Sequence, residues 1–357
     1  MDAVRILAIN PGSTSTKIAV FENLRPVFQK SIRHSRDELA GFQKITDQFI
    51  FRKNVIKKEL FAAGIPLNFN VIIGRGGLVK PIESGIYEIN DQMVEDLKNP
   101  SMGEHASNMG GLIARDLANQ VQDCKSYIAD PIVVDEFEPL ARYSGHPDFE
   151  RISIFHALNQ KAVARNFAKS IDRSYDDINL IVAHLGGGVT VGAHQKGRVI
   201  DVNQGLDGDG PFSPERSGTL PMGKVIDAMA AQGMSREEMR MKIVGKGGLV
   251  AYLGTNNAAE VESRALNGDK LAAEVYEAMA YQVAKEIGAA SVVLKGRVDA
   301  ILITGGIAYS DLFIQYLTYR IAWIAPVRIF PGEDEMRALA QNAYFVTTGE
   351  VTPKHYK

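Results

Sequence analysis

The sequence predicts an α/β protein of two similar lobes, each built on a mixed five-stranded sheet with helices. Three observations support this. A strand–loop–strand unit at 6–20 recurs at 180–193, short apolar runs alternate with segments of helical spacing, and 357 residues suffice for two domains. We place an N-terminal lobe at 1–170, a C-terminal lobe at 171–345 and a surface tail at 346–357. The last helix is a candidate to pack back on the first lobe.

The composition is that of an ordinary globular protein, with 45% hydrophobic and 23% charged residues. A net charge of −2 predicts neither a nucleic-acid-binding face nor attraction to an anionic membrane. Cys124 is the single cysteine, which excludes an intrachain disulfide and a thiolate-rich metal site. The sequence opens without a basic-then-apolar leader, and no apolar run approaches the roughly 20 residues of a membrane span. We therefore expect a cytoplasmic protein.

The elements of the first lobe follow from the apolar pattern. We predict a meander of strands at 4–9, 17–21 and 26–31, a helix at 37–63, a strand at 71–73, a helix at 104–121, a strand at 126–129 and a partly helical segment at 152–171. Glycine and proline at 64–66 end the first long helix.

The second lobe repeats the meander and then alternates helices with strands. We predict the meander at 179–203, a long loop at 207–217, short helices at 226–244, an amphipathic helix at 270–294, a strand at 300–303, a helix at 311–321, a strand at 327–330 and a helix at 333–343. Glycine and proline are concentrated in the long loop, and long loops in compact domains are often functional.

Small residues follow the strand end in both copies of the duplicated unit. They let the backbone approach a ligand closely and present successive N–H groups to phosphate oxygens. The first copy adds the hydroxyls of Ser13 and Ser15 and the charge of Lys17, and the second has three glycines, at 186–188. A further glycine turn, at 305–306, follows a buried strand. Two facing phosphate loops predict a nucleotide clamped in a cleft.

Several polar residues at strand or loop ends are candidates for chemistry. Arg75 lies between glycines after a buried strand, where a guanidinium can grip an anion with its bidentate fork. His184 holds the position that Asn10 holds in the first copy, and we expect it to contact a transferred group. Arg216 lies in the long loop, and His156 begins a helix.

Carboxylates at strand and helix ends are candidates to position Mg²⁺, which in phosphate sites takes one or two carboxylates. The candidates are Asp130, Asp135, Glu333, Asp334 and Glu335. The acidic run at 333–335 is equally explained as a helix N-terminus, where negative charge is stabilised by the helix dipole. The residues alone leave this choice open.

Together these segments resemble the acetate and butyrate kinase family of the actin-like ATPase superfamily, over almost the whole chain. The resemblance rests on the segments at 8–17, 183–188 and 303–308, and the segments at 10–17, 129–137 and 211–218 are most similar to the butyrate branch. It implies two ribonuclease-H-like lobes around a nucleotide cleft. It also implies ATP or ADP with Mg²⁺ as cofactors, and a homo-oligomer, dimeric or larger.

The resemblance implies a role for each matching position. Nucleotide and phosphate are assigned to Asn10, Ser13, Ser15, Lys17, Gly186, Gly187, Gly188, Gly305 and Gly306. The catalytic set is Arg75, His184, Arg216 and Asp130, with Asp135 as second choice for the aspartate. The metal is assigned to Glu333 and Asn10, and Glu333 is one choice within its acidic run.

The implied reaction transfers the γ-phosphoryl group of ATP reversibly to a short-chain carboxylate, above all butyrate. Acetate, propionate and isobutyrate are alternatives, and an actin-like ATPase without an acceptor is the alternative from another class. The acetate branch carries Asn and Ser where this chain has Gly187 and Gly188, which counts against acetate. Apolar walls for the alkyl chain are predicted at Pro81, Ile82, Ile132 and Val133.

Overall fold

The computed structural model describes residues 3–103, 105–206 and 209–357, which form two compact units. Unit 1 runs to Val134 and includes Asp334–Lys357, and unit 2 is Asp135–Glu333. The predicted lobes divide the chain elsewhere, at 170. The predicted helix at 104–121 and the predicted loop at 207–217 begin on Glu104, Asp207 and Gly208, which lie outside the described residues.

Strands of the described residues form two mixed sheets. They are β1 (Arg5–Pro11), β2 (Ser15–Glu22), β3 (Arg25–Arg33), β4 (Val71–Arg75), β5 (Ile86–Glu88), β6 (Lys125–Ala129), β7 (Asn179–Leu185), β8 (Val189–Gln195), β9 (Arg198–Val202), β10 (Ala300–Gly305) and β11 (Val327–Pro331). The central strands β1 and β7 are buried along nearly their whole length, which is why each is an almost continuous apolar run.

Both sheets have the same topology. In unit 1 the antiparallel meander β3–β2–β1 continues through the parallel strands β4 and β6. In unit 2 the meander β9–β8–β7 continues through the parallel strands β10 and β11. The predicted fold class is confirmed. The first sheet has six strands rather than the predicted five, because the short β5 pairs antiparallel with β6.

Helices cover the sheets of both units. They are α1 (Arg36–Leu39), α2 (Phe49–Ala62), α3 (Asp91–Lys98), α4 (Asn108–Ala118), α5 (Ala157–Ser170), α6 (Met222–Gln232), α7 (Arg236–Ile243), α8 (Gly248–Leu253), α9 (Ala258–Leu266), α10 (Lys270–Val293), α11 (Asp311–Ile321) and α12 (Glu335–Thr347). Within the described ranges, none is long and apolar enough to span a membrane.

The single helix predicted at 37–63 is wrong. A capping box at Ser35 begins the four-residue α1, and α2 starts only at Phe49, after an irregular segment that contains Gly41. Glycine loses more conformational freedom in a helix than any other residue, so helical spacing across it is a weak signal. The buried face of α2 nevertheless keeps the helical period, with Arg52, Ile56 and Leu60.

Close backbone contact between α4 and β4 holds the end of β4. Gly74 and Gly110 face each other, and neither has room for a side chain because a Cβ would meet backbone atoms of the other element. Helix α4 therefore packs directly on the strand that ends at Arg75. The backbone that carries this arginine is fixed by packing on a helix.

The C-terminal residues return to unit 1. Helix α12 packs on β1 and β4, and the segment after it is not the surface tail that the sequence predicts. Tyr356 is 1% exposed, and its hydroxyl donates to Asp96 Oδ2 at 2.7 Å and accepts from Lys80 N at 3.1 Å. Asn90 Nδ2 donates to the carbonyl of Tyr356 at 2.7 Å.

Candidate active site

The predicted residues of unit 1 gather at one edge of its sheet. Strands β1, β4 and β6 are parallel, with Ile9 opposite Gly74 and Arg75 opposite Ala129. Their carboxyl ends therefore place Asn10, Arg75 and Asp130 side by side. In open α/β sheets this is the edge at which ligands bind.

Asn10, Arg75 and Glu335 form a closed polar network at this edge. Asn10 Nδ2 donates to Glu335 Oε2 at 2.6 Å, and Arg75 Nη2 lies 3.2 Å from Glu335 Oε1. Arg75 Nη1 completes the triangle with Asn10 Oδ1 at 3.4 Å. Glu335 is 5% exposed, so the arginine supplies the charge partner that a buried carboxylate requires. These contacts fix the orientation of the Arg75 guanidinium, and the side chain remains 18% exposed.

Arg52, which was not predicted from the sequence, anchors the first glycine loop, the turn between β1 and β2. Its guanidinium donates to the carbonyls of Gly12, Ser13 and Ser15 at 2.7, 2.9 and 2.9 Å and to Thr16 Oγ1 at 3.1 Å. Burial lowers the pKa of Arg52 to about 10, so it stays charged at neutral pH. Its signal in the sequence was an arginine on the apolar face of a helix, four residues before a buried isoleucine.

The predicted phosphate ligands of the first loop differ in exposure. Ser13 lies in the loop and is exposed, because β2 begins only at Ser15. Ser15 and Lys17 share a face of β2, and Lys17 is exposed opposite Asn10 in the strand register. With the loop carbonyls turned towards Arg52, the hydroxyls and the ammonium group are accessible from the other side.

The two candidate aspartates have different surroundings. Asp130 is 2% exposed, adopts a positive φ of 39°, and accepts from Ser84 Oγ at 2.6 Å and Gly85 N at 2.9 Å. It thus holds a turn beside the edge of the unit 1 sheet. Asp135 belongs to unit 2 and binds Arg142 through both oxygens, at 2.8 and 2.9 Å.

The glycine segments of unit 2 also share one sheet edge. Strands β7 and β10 are parallel, with His184 opposite Thr304, so the loop at 186–188 and the turn at 305–306 follow adjacent strand ends. Gly305 has a φ of +95° and lies against the backbone of Leu185, where a Cβ has no room. Its backbone exchanges hydrogen bonds with Gly332, at 2.9 and 3.2 Å.

His184 is fully buried at the end of β7. Its Nδ1 is 2.8 Å from Asn159 Oδ1, and its ring stacks on His156 with centroids 3.8 Å apart and planes 14° apart. Because the amide oxygen accepts, Nδ1 is the donor. Nε2 has no hydrogen bond of good geometry and lies 3.1 Å from Glu333 Oε1, whose side chain is 33% exposed.

Arg216, a candidate catalytic residue from the sequence, contacts the second glycine loop. Its guanidinium packs on Gly188, which has no room for a Cβ, and Nη1 donates to the carbonyl of Gly205. Ser213 Oγ donates to the carbonyl of Gly187 at 2.7 Å. The loop is therefore held by residues of the long segment that follows β9.

The acidic run at 333–335 serves three different purposes. Glu333 lies beside His184, Asp334 caps α12 by accepting from Arg337 N at 3.2 Å, and Glu335 completes the network of unit 1. No group of three or more His, Cys, Asp or Glu side chains that could hold a metal occurs within the described ranges. The partly exposed carboxylate of Glu333 is a ligand type that Mg²⁺ accepts.

The predicted apolar walls divide into two kinds. Val133 is fully buried in the core of unit 1 and Pro81 is exposed, whereas Ile82 and Ile132 are half-buried. Ile82 N bonds to the carbonyl of Val133 at 3.4 Å, which ties the two segments together. Ile82 and Ile132 are thus the two that can both face a ligand and rest on the core.

Comparisons with known proteins agree with this architecture. Residues 151–321, all within unit 2, match the model of the Acetokinase family. The fold is similar to acetate kinase from Porphyromonas gingivalis, at a TM-score of 0.77 and 17% identity, covering 97% of this chain and 100% of that one. It is similar to a propionate kinase from Francisella tularensis subsp. tularensis SCHU S4 (0.74, 19%, 95% and 98%) and to acetate kinase from Entamoeba histolytica (0.75, 16%, 94% and 97%).

Proposed function

We propose that this chain is a carboxylate kinase, which transfers the γ-phosphoryl group of ATP to a short-chain carboxylate and forms an acyl phosphate and ADP. One observation carries the proposal: the segment that matches the Acetokinase family contains His184, Arg216 and the second glycine loop. Arg75 and Asn10 lie at the equivalent sheet edge of unit 1, whose strands have the same topology. The reverse reaction is equally allowed by this chemistry.

The proposed mechanism relies on positioning and charge. A carboxylate is already deprotonated at neutral pH, so the attacking oxygen needs no general base. Arg75, held by Glu335 and Asn10, would face the carboxylate. Arg216 and His184 would stabilise the negative charge on the phosphoryl oxygens during in-line transfer.

The nucleotide would be held mainly by backbone N–H groups of the glycine segments. Those of Gly186 and Gly305 already donate to the carbonyls of Gly188 and Gly332, so the donors would come from the other glycines of the two segments. The loop at 186–188 and the turn at 305–306 follow adjacent strand ends of unit 2, and at Gly188 and Gly305 there is no room for a side chain. The first loop would add the hydroxyls of Ser13 and Ser15 and the ammonium group of Lys17. Arg52 supports this by drawing the loop carbonyls, which would repel phosphate, to the opposite side.

The partly exposed carboxylate of Glu333 is a ligand type that fits Mg²⁺, and we propose that Glu333 holds the ion, with Asn10 as the candidate from unit 1. When bound, the ion would neutralise charge on the phosphates. Asn10 Nδ2 donates to Glu335, so the amide oxygen, which also lies 3.4 Å from Arg75 Nη1, is the atom that would serve.

Butyrate is our proposed acceptor, with acetate, propionate and isobutyrate as alternatives. An alkyl chain against Ile82 and Ile132 would gain about 0.8 kcal/mol for each buried methylene. This is roughly fourfold in affinity, so we expect a graded preference among acids and not an absolute one.

Acyl phosphate formation, trapped as the hydroxamate, tests the proposal. Purified protein would be given ATP, Mg²⁺ and each acid from acetate to valerate, plus isobutyrate. A maximum at butyrate supports both the reaction and the acceptor, and a maximum at another acid keeps the reaction and corrects the acceptor. Equal ATP turnover with and without acid, and no trapped product, would overturn the kinase in favour of an actin-like ATPase.

Arg75→Ala provides the matched variant. We expect it to keep ATP binding and to lose acid-dependent ADP formation by at least ~100-fold, because the charge facing the carboxylate is removed. Arg115→Ala, which loses a surface contact with Asp91 at 3.6 Å, is the control and should keep full activity.

A homo-oligomer and a cytoplasmic location remain predictions, for sedimentation and for cell fractionation to test.

A further inference from the structure

A chain of buried hydrogen bonds runs through unit 2 to His156. Tyr175 OH lies 2.7 Å from His194 Nδ1, and His194 Nε2 lies 3.0 Å from Gln160 Oε1. Gln160 Nε2 reaches Thr190 Oγ1 at 2.8 Å, and Thr190 Oγ1 lies 2.9 Å from His156 Nδ1. Gln160, Thr190 and His194 are fully buried, so each bond must have one donor and one acceptor.

The backbone carbonyl of Thr190 determines which atom is the donor in each of these hydrogen bonds. Gln160 Nε2 is also 3.1 Å from the carbonyl oxygen of Thr190, which can only accept. The amide nitrogen of Gln160 must therefore point to Thr190 and its oxygen to His194. An amide oxygen cannot donate, so His194 Nε2 carries a proton.

Because His194 is neutral, the donor in its hydrogen bond with Tyr175 can also be assigned. Burial lowers the pKa of His194 well below its ordinary value, and the positive charges of Lys161 and Arg165 lower it further. With Nε2 protonated, a neutral ring has a lone pair on Nδ1, so the hydroxyl of Tyr175 donates to it. Gly192 leaves room for this arrangement, since a Cβ there would lie 2.6 Å from Gln160 Oε1.

At the Thr190 end of the series, the same argument assigns the tautomer of His156. Among the described residues, the hydroxyl of fully buried Thr190 has two hydrogen-bond neighbours, and one of them, Gln160 Nε2, is a donor. A buried hydroxyl proton needs an acceptor, so the proton of Thr190 is directed to His156 Nδ1. A hydroxyl donor makes Nδ1 an acceptor, and the proton of a neutral His156 ring then resides on Nε2. This ring is the one that stacks on His184 at 3.8 Å.

We propose that Gln160 is a positioning residue that, through Thr190, holds His156 in the tautomer with the proton on Nε2. The imidazole stacked on His184 then offers an N–H donor, not a lone pair, on the side away from Thr190. This rests on the proposed function only in that His184, on which His156 stacks, serves phosphoryl transfer.

The direct test is long-range ¹H–¹⁵N NMR of protein labelled with ¹⁵N-histidine, which reports the protonated nitrogen of each ring without any activity. We expect His156 and His194 both to show protonated Nε2 and unprotonated Nδ1 near pH 8. Wild-type His156 protonated on Nδ1 would overturn the proposal. This readout is independent of phosphoryl transfer, so it stands apart from the hydroxamate result.

Two variants each remove one hydrogen-bonding group from this series. Thr190→Val keeps the shape and the backbone carbonyl but removes the hydroxyl, so His156 should lose its single tautomer while His194 keeps its own. Tyr175→Phe removes the far end, and since the direction originates at the Thr190 carbonyl, His156 should be unchanged. If both variants alter His156 equally, or neither does, the assignment of Gln160 is wrong.

Kinetics separate positioning from general stability. Gln160→Leu and Thr190→Val should lower kcat about 10- to 100-fold with the KM for acid within about twofold, as expected when the imidazole stacked on His184 has the wrong tautomer. Tyr175→Phe leaves an unpaired nitrogen on buried His194 and should lower the Tm, yet keep kcat. A fall in kcat that tracks the Tm across all three variants would overturn the proposal.

Discussion

Arg52 and Arg75 show two ways in which unit 1 accommodates a buried or half-buried guanidinium. Arg75 meets a carboxylate, so its charge is neutralised and its orientation is fixed by the pair. Arg52 meets neutral carbonyls of one loop, so its charge is spread over their dipoles. The first arrangement aims a charge at a ligand, and the second shapes the backbone that would hold it.

At this scale we predict that Arg52→Met lowers the free energy of unfolding by about 3 kcal/mol. The carbonyls of Gly12, Ser13 and Ser15 would lose a charged donor, and each buried acceptor left unsatisfied costs about 1–3 kcal/mol before the loop relaxes. Urea unfolding measures this loss, and the affinity for ATP should fall with it.

Lys53→Met, on the next residue of α2, is the control. Lys53 pairs with Asp116 at 3.0 Å near the surface, so its loss should cost less than about 1 kcal/mol. Equal losses in the two variants would show that Arg52 is an ordinary helix residue and not the anchor of the loop.

Candidate site residues could be picked out from the sequence where they stood near glycines at strand ends, as Arg75 and His184 do. Arg52 and Asn159 were missed because their partners lie far away along the chain or on another element. The role of Glu335 was left open for the same reason, since its partner Asn10 is 325 positions away. Local pattern identifies a residue type and a strand end, and it does not identify a partner.

Among the elements, the glycine turn after β10 depends on one glycine more than on the other. Gly305 has a positive φ and contacts the Leu185 backbone, whereas nothing lies within 4 Å of a Cβ on Gly306. Gly305→Ala should therefore lower the free energy of unfolding by at least about 2 kcal/mol, and Gly306→Ala by less than about 1 kcal/mol. Thermal unfolding of the pair checks this, and equal Tm values would contradict it.

Helix α10 holds a half-buried carboxyl group against the second sheet. Glu286 lines a cavity of about 220 Å³ with Arg151 and Asp201, and its pKa is raised to about 7 by burial and then by the charge of Asp209. Because the folded carboxyl holds its proton to higher pH than the unfolded one, stability should fall as pH rises from about 4.5 to 7.

We predict that Glu286→Gln removes this fall. The variant should match the wild type near pH 4.5 and exceed its free energy of unfolding by up to about 3 kcal/mol at pH 8, where the buried charge is fully present. Urea unfolding across this pH range is the measurement. Glu274→Gln, at an exposed position of α10, is the control and should leave the pH profile unchanged.

For the whole molecule, two sheets of the same topology account for the duplicated unit of the sequence. The pattern β3–β2–β1–β4–β6 recurs as β9–β8–β7–β10–β11, so equivalent strand ends carry Asn10 and His184. The repetition concerns backbone topology and loop position. The residues that each edge adds are different, with a guanidinium–carboxylate pair in unit 1 and stacked imidazoles in unit 2.

The return of the C-terminus to unit 1 leads to a prediction about Tyr356. Tyr356→Ala should cost about 3–4 kcal/mol through the cavity it leaves, and Tyr356→Phe about 1–2 kcal/mol through the lost bond to Asp96. His355→Ala, at the exposed neighbour, should change the free energy of unfolding by less than about 0.5 kcal/mol. Three similar values in urea unfolding would mean that the segment is not part of the folded unit.

Strand identity, the duplicated unit, the glycine loops and the fold class could all be read from the chain, because each depends on side-chain period and backbone freedom within about ten neighbouring positions. Other features needed the folded chain. They are the extra strand β5, the anchoring of Tyr356, the loop held by Arg52, and the separate partners of Glu333, Asp334 and Glu335. Each arises from a contact whose partner is chosen by packing geometry, and such partners are absent from any local stretch of sequence.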